Sequence, residues 1–293
     1  MKALKAKKQI LRTQISNART RNNERQLERA LQRYFKALEK QIQRNLKFYW
    51  QDNNLVMGQV DLITEPILAS HDEYYEILSK FVSREYQLGS NEAERLVLRL
   101  NKNRVANKST KPKARAFLKR TFELFGIHAT AEEDLLTRVF IASERTLARV
   151  DRSIMDIITL GYKSGKGIDY VANNLTKRFD QLTTWESKRI ARTEIHNAHN
   201  RGTMDKYQEY GVEYTMWIAA DDERTRESHL EINGEIIRLG DTYSNGLKYP
   251  GDTDGPIEEW INCRCSNAPY VLPYGFAAPP MEQFTENDLI KIR

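Results

Sequence analysis

The two cysteines of this sequence lie one residue apart near its C-terminal end, in the segment NCRC, as Cys263 and Cys265. Two thiolates at this spacing can bind one metal ion, and zinc takes four ligands from cysteine, histidine or carboxylate groups. His229 is the nearest histidine in the sequence, and His196 and His199 could share a helix face and supply a fourth ligand. The sequence therefore predicts a metal site of His229, Cys263 and Cys265, with structural zinc as the candidate ion.

Two other interpretations of the cysteine pair stay open. Free cysteine is often only a small buried residue of a hydrophobic core. A nucleophilic cysteine is the weaker alternative, because no recognisable local signature with histidine and Asx accompanies it. A disulfide between Cys263 and Cys265 would close a small strained ring and is discounted.

Two polar clusters upstream of the cysteines could also carry chemistry. ARTEIHNAHN places Glu194 close to two histidines, which could act as acid and base or could simply form a solvated helix face. AADDERTRESH could bind an anion or a divalent ion, or it could be a helix N-terminus capped by Asp221 or Asp222. A metal-assisted hydrolase or nuclease that uses Glu194, His229 and the cysteines is thus an alternative function, although the catalytic set is incomplete.

The N-terminal 50 residues are strongly basic. They contain 14 Lys and Arg against three Glu, a net charge of +11, whereas residues 201–293 have a net charge of −8. A helix with this density of cations binds nucleic acid without base preference, although an anionic membrane or a protein partner is also compatible with it. The residues expected to bind double-stranded DNA are Lys2, Lys5, Lys7, Lys8, Arg12, Arg19, Arg21, Arg25, Arg29 and Arg33.

The overall composition is that of a polar globular protein, with 40% hydrophobic and 29% charged residues. No apolar run approaches the roughly 18 residues of a membrane span, and the N-terminus lacks the apolar core of a secretory signal. We therefore expect no membrane anchor. Two cysteines so close together cannot form a disulfide framework, which favours a reducing compartment.

Apolar residues three and four positions apart predict mostly helical structure over the first two-thirds of the chain. The helices are expected at 24–50, 72–87, 91–103, 114–126, 131–160, 168–179 and 183–211. Asn91 is the expected N-cap of the third, Thr183 or Thr184 of the last, and Gly211 its end. Gly58 and Pro66 are expected to interrupt the chain, and residues 101–115 to form an exposed loop.

The pattern changes after Gly211. A strand is predicted at 212–220, a hairpin around Asn233-Gly234 in residues 231–239, and an edge strand at 263–274. The fold class is therefore α+β, with a small C-terminal domain of short antiparallel strands. We expect a basic helical region at 1–130, a second domain at 131–275 with its core at about 150–270, and a tail at 276–293.

Five pieces in this order resemble the phage head morphogenesis domain, the Mu protein F-like minor capsid family. They are an Arg-Thr-Glu helix, a strand with a tryptophan, an Asp-x-Arg-Thr-Arg-x-x-His segment, an Asn-Gly turn and a terminal Asn-Cys-Arg-Cys. Here the motif residues are Arg192, Thr193, Glu194, Trp217, Asp222, Arg224, Thr225, Arg226, His229, Asn233, Gly234, Asn262, Cys263, Arg264 and Cys265.

The resemblance implies a low-copy minor capsid protein of the virion. Such a protein is packaged inside the procapsid near the portal, after assembly in the host cytoplasm. Its implied partners are the portal protein and phage DNA, with the scaffold or major capsid protein as further candidates. The implied role is head assembly or DNA ejection, and the resemblance implies no enzymatic activity.

Overall fold

The computed structural model describes residues 18–51, 55, 59–105, 131–220 and 222–292. The helices of the first two-thirds are α1 (Ala18–Tyr49), α2 (Val60–Ala69), α3 (His71–Val105), α4 (Ala131–Lys163), α5 (Ile168–Gln181) and α6 (Ser187–Glu209). The remaining elements are β1 (Tyr214–Ile218), α7 (Glu227–Glu231), β2 (Ile236–Arg238), α8 (Ile257–Trp260), β3 (Ser266–Tyr270), β4 (Phe276–Ala277) and β5 (Ile290–Lys291). This architecture confirms the α+β prediction.

Several predictions fall outside the described residues. They concern Lys2, Lys5, Lys7, Lys8 and Arg12, the break at Gly58, the helix at 114–126 and most of the loop at 101–115. The first five residues of that loop, 101–105, belong to α3, so its predicted start was wrong.

The described chain forms two compact units. The first comprises the described residues of Met1–Asn22, Ser83–Glu132 and Arg192–Arg293, and the second those of Asn23–Val82 and Glu133–Ala191. The predicted domains are continuous stretches of sequence, and their limits stay predictions.

Helix α1 shows why the spacing of apolar residues predicts a helix so well. Its residues at steps of three and four are buried, namely Leu27, Leu31, Tyr34, Phe35, Leu38, Ile42 and Leu46. Tyr49, three residues after Leu46, is only half-buried, and Trp50 just beyond the helix is buried. The helix needs this stripe because its stability comes mainly from packing an apolar face.

Pro66 lies inside α2, where the sequence predicted an interruption. Proline has no backbone N–H, so the carbonyl of Leu62, four residues earlier, loses its helical donor. The side-chain amide of Asn45 in α1 donates to this carbonyl at 3.2 Å. The helix therefore continues through the proline because a neighbouring helix supplies the missing hydrogen bond.

Helix α3 is continuous, so the prediction of two helices with Asn91 as N-cap was wrong. Gly89, which lies where the break was predicted, has a packing role. A Cβ atom at position 89 would lie 2.1 Å from the backbone oxygen of His199 in α6. Gly202 in α6 is constrained in the same way, with 2.2 Å to the backbone oxygen of Tyr86. Glycine at both positions lets the two backbones approach closely.

A π-helical turn at Leu182–Glu186 connects α5 to α6, so Thr183 and Thr184 do not cap a new helix. Their hydroxyls donate instead to backbone oxygens of the preceding turn, that of Thr183 to Phe179 at 3.0 Å and that of Thr184 to Asp180 at 2.6 Å. The predicted end at Gly211 is confirmed, because this residue has the positive φ of 64° that glycine tolerates.

Strands β2, β1 and β3 form an antiparallel sheet in this order, with β1 in the centre. β3 is an edge strand, as its proline predicted, and Pro269 lies opposite Thr215. The predicted hairpin was wrong in its first arm. Residues 227–231 form helix α7, and β2 pairs with β1 instead. The Asn233-Gly234 turn is nevertheless present, with a φ of 92° at Gly234.

The segment after β3 also carries structure. β4 and β5 pair antiparallel, and Phe284 between them is buried. The backbone of Phe284 exchanges two hydrogen bonds with Ile236 of β2. Through these contacts the predicted tail packs beside the sheet.

Candidate functional site

The structure brings together the three predicted metal ligands. The Nδ1 atom of His229 lies 3.4 Å from the Sγ atom of Cys265 and 3.7 Å from that of Cys263. All three potential ligand atoms lie within 4.8 Å of one another. The three residues are 1%, 2% and 4% exposed, in the order His229, Cys265, Cys263. They form the cluster that is called the Cys2His cluster below.

Short elements hold the cluster together. His229 lies on α7, and its ring contacts that of Trp217 in β1 edge-on, with 5.1 Å between centroids. Trp217 is fully buried and also packs against Tyr243. Both cysteines belong to the same hydrophobic core as Trp217. The predicted family residue Trp217 therefore serves as the wall against which the histidine is placed.

The two thiols differ in their tendency to ionise. The pKa of Cys265 is lowered because the Cys263 thiol and the His229 ring hydrogen-bond to it. The pKa of Cys263 is raised well above its ordinary value because Cys265 lies beside it and because it is buried. One thiolate is thus favoured before any metal is considered.

Glu259 was missed by sequence reasoning. Its Oε2 atom lies 2.8 Å from the Nε2 atom of His229, and it accepts a hydrogen bond of 3.0 Å from Ser228. The acidic run EEW gives no local indication of this role, because the contact of Glu259 with His229 spans 30 residues of sequence. A carboxylate shortly before Cys263 was the available signal.

The motif residues of α6 hold the cysteine loop in place. Arg192 donates to the Oδ1 atom of Asn262 at 3.1 Å, and the Thr193 hydroxyl accepts from the Asn262 backbone N–H at 3.0 Å. Asn262 has a φ of 57°, the left-handed conformation that asparagine tolerates better than most residues. The loop therefore turns at Asn262 just before it delivers Cys263.

The Asp-x-Arg-Thr-Arg segment also contacts the loop that carries the cysteines. The Arg264 guanidinium binds both carboxylate oxygens of Asp222. Arg226 donates to the backbone oxygen of Ile261 at 2.6 Å. Asp222 is not a helix cap, because α7 begins at Glu227 with Arg226 as its N-cap. Its Oδ1 atom accepts from the backbone of Arg224, whose side chain is exposed.

His199 does not join the cluster. Its Nδ1 atom contacts the fully buried carboxylate of Glu85 in α3 at 2.9 Å, and its Nε2 atom lies 3.8 Å from Glu92. Among the described residues, neither it nor His196 completes the candidate metal set, so the fourth ligand suggested by their spacing was wrong. Glu194 is buried and lies outside the set as well.

Asn200 is a second residue that the sequence did not single out. It is buried on α6, and its amide donates to the backbone oxygens of Pro250 at 2.8 Å and Cys265 at 3.1 Å. It thus links α6 to the turn at Pro250 and to the segment that carries the cysteines. An asparagine two turns after Arg192 was the only available signal.

The predicted DNA-binding residues that the structure describes are Arg19, Arg21, Arg25, Arg29 and Arg33, and all five are exposed. From Arg25 onwards the cations of α1 follow one line along the helix. This basic stripe comprises Arg25, Arg29, Arg33, Lys36, Lys40, Arg44 and Lys47. Its steps of three and four residues match those of the buried stripe, so charge and core occupy different faces.

Residues 152–268 match the family model described as phage Mu protein F like protein. This chain carries a Mu F-like domain. All the motif residues that hold the cysteine loop fall within the matched range, from Arg192 to Cys265. The matched range also includes the last third of α4, all of α5, strands β1 and β2 and the first three residues of β3.

Two curated proteins are similar to part of the chain. The minor head protein GP7 of Bacillus phage SPP1 is 30% identical over 129 residues, which are 42% of this chain and 42% of that protein. An uncharacterized protein of Haemophilus influenzae strain Rd is 39% identical over 82 residues, 28% of this chain and 17% of that protein. The chain thus spans less than half the length of these relatives.

No solved structure matches the chain significantly. In the part of the chain that the structure describes, no helix combines the length and apolar character needed to cross a membrane.

Proposed function

We propose that this chain is a minor head protein of a double-stranded DNA phage, located in the virion head, where it binds the DNA without sequence preference. The Mu F-like domain and the similarity to a phage minor head protein support the head role. The basic stripe of α1 supports DNA binding and is the observation on which that part depends. The proposed sites of action are procapsid assembly in the host cytoplasm and DNA ejection from the finished head.

The stripe has the properties of a phosphate-binding surface. It presents seven cations on exposed positions over 23 residues, or about 33 Å of helix. The apolar residues of α1 at steps of three and four face the core, so the stripe itself consists of cations, and the one exposed aromatic side chain beside it on α1 is that of Phe48, next to its last member Lys47. Contacts to phosphates alone position a protein on DNA but carry no sequence information.

The salt dependence of DNA binding tests this proposal. We expect the full chain to bind a labelled duplex with an affinity that falls steeply with salt, since each neutralised phosphate contributes a slope of about −0.9 to log K against log salt. Replacing Arg25, Arg29, Arg33 and Lys36 with glutamine should flatten the slope by up to about 4. Fluorescence anisotropy from low to physiological salt gives both quantities.

A matched variant controls for the change in total charge. Arg145, Arg152, Lys163 and Lys188 are exposed on α4 and α6, and their replacement by glutamine removes the same four charges. This control should keep a slope close to that of the parent chain. If both variants lost the same amount of salt slope, a specific role of the stripe would be contradicted. If the stripe variant bound DNA as the parent chain does, the stripe would have no role in DNA binding.

The proposed protein partners are the portal and, in addition, the scaffold or major capsid protein. The net charge of −8 over residues 201–293 repels DNA and leaves that region for protein contacts. Co-purification of the chain with the portal from nuclease-treated procapsids is the expected result. Loss of the portal after nuclease treatment would show that DNA, and not a protein contact, connects the two.

A further inference from the structure

The Cys2His cluster has the dimensions of an assembled metal site. Zinc binds thiolate sulfur at about 2.3 Å and histidine nitrogen at about 2.0–2.1 Å, so tetrahedral angles place the sulfur and nitrogen ligands about 3.5 Å apart. The two sulfur–nitrogen distances here are 3.4 and 3.7 Å. An ion can therefore be accommodated with little rearrangement of the three side chains.

The hydrogen bonds of His229 expose the correct nitrogen to such an ion. Glu259 is a hydrogen-bond acceptor at 2.8 Å from Nε2, so the ring carries its proton on Nε2 and presents the lone pair of Nδ1 to the sulfurs. Ser228 donates to the same carboxylate at 3.0 Å and fixes it. A carboxylate that orients the far side of a histidine is a recurrent feature of metal sites.

The backbone around the sulfurs is also arranged for thiolates. The N–H of Cys265 donates to the Sγ atom of Cys263 at 3.4 Å, and the N–H of Ala220 hydrogen-bonds to Cys265. Such N–H donors stabilise negative charge on sulfur. Buried inert thiols would need neither these donors nor a histidine between them.

We propose that His229, Cys263 and Cys265 bind one zinc ion, and that Glu259 positions His229 for this purpose. The ion fixes α7 to the loop that carries the cysteines, so its role is structural. The described residues supply three ligands, and a water molecule or another small donor completes the tetrahedron. The burial of the three residues excludes a substrate of any size, which separates this site from a zinc hydrolase centre.

Metal analysis of the full chain tests the site directly. Protein purified without chelators and without a nickel column should contain about one zinc per chain. The Cys263→Ser/Cys265→Ser variant should contain almost none. Replacing zinc with cobalt should give the thiolate-to-cobalt charge-transfer absorption, which reports sulfur ligands in the parent chain and does not depend on whether the serine variant folds.

The positioning role of Glu259 has its own measurement. Glu259→Gln should lower zinc affinity by about 10–100-fold, measured by competition with a chromophoric chelator, because such partners tune ligand strength. Glu258→Gln removes the same charge at the neighbouring exposed position and should leave the affinity unchanged.

Two results would overturn the proposal. One is a parent chain that contains no zinc and takes up none on dialysis against it. The other is cobalt bound without sulfur charge transfer. Neither result bears on DNA binding by α1, so the site and the proposed function fail separately.

Discussion

At the scale of single residues, the segment Asn262–Cys265 alternates between two tasks. Cys263 and Cys265 point into the core, whereas Arg264 between them reaches out to Asp222. Period-two alternation of this kind is what an extended chain produces. Arg264, which separates the two thiols, therefore helps to hold them in place through its ion pair with Asp222.

The ion pair of Asp222 makes stability depend on pH. Hydrogen bonds from Arg264 lower the pKa of Asp222. A carboxylate with a lowered pKa stabilises the fold above its unfolded value of about 3.9 and loses this contribution as the pH falls below it. We therefore expect Asp222→Asn to lower the urea midpoint at pH 7, and the difference from the parent chain to shrink below about pH 4.

The effect should be modest, because the Asp222 side chain is 39% exposed and solvent screens the pair. Glu223→Gln, at the exposed neighbouring position, should change the midpoint little at either pH. A difference between Asp222→Asn and the parent chain that is as large at pH 3 as at pH 7 would contradict an electrostatic origin.

The sequence singled out three side chains that the structure brings together and missed others, for a physical reason. Residue type and rarity single out His229 and the two cysteines, since few side chains can bind zinc. Glu259 and Asn200 have common side chains, and their roles exist only because folding brings distant segments into contact. Such contacts leave no periodic trace in the sequence.

At the scale of elements, amphipathic periodicity predicted α1 and α4 correctly. The predictions failed where a contact with a neighbouring helix offsets a residue that would otherwise break the helix. Gly89 and Pro66 carry strong breaking signals, yet α3 and α2 continue through them. In the first case the glycine admits the backbone of α6, and in the second Asn45 replaces a lost donor. Local rules cannot register a partner that lies in another helix.

The contact between Asn45 and α2 can be measured with a double-mutant cycle. Asn45→Ala should cost a few tenths to about 1 kcal/mol of unfolding free energy, since it removes the donor to the Leu62 oxygen. In a Pro66→Ala background the restored backbone N–H donates to that oxygen, so Asn45→Ala should cost less. Urea unfolding of the four proteins gives the coupling energy. The same cost in both backgrounds would show that Asn45 stabilises α2 in another way.

At the scale of the whole molecule, charge is the clearest message of the sequence. A net charge of +11 over residues 1–50 and of −8 over residues 201–293 makes the N-terminal part the favoured place for the proposed binding of DNA. Order and type of most elements followed from pattern as well. The division into two units did not, because each unit is built from segments that are far apart in the chain.

The length of the basic stripe predicts how binding depends on duplex length. About 33 Å of helix corresponds to roughly one turn of B-DNA, or about 10 base pairs. The binding constant should therefore rise steeply with duplex length up to about 10 base pairs. Beyond that length it should increase only in proportion to the number of positions on the duplex at which the stripe can bind. Anisotropy titrations with duplexes of 6 to 30 base pairs check this. A threshold well above 15 base pairs would point to a longer interface than the stripe.

The regular spacing of the stripe has a kinetic consequence. Cations that repeat every three or four residues meet an equally repetitive row of phosphates, so many registers along the duplex are nearly equivalent. On the proposed interface the molecule would pass from one register to the next without releasing all its contacts, and it would diffuse along the DNA in one dimension. A protein that slides in this way would stay bound to the DNA and would still let the DNA move past it.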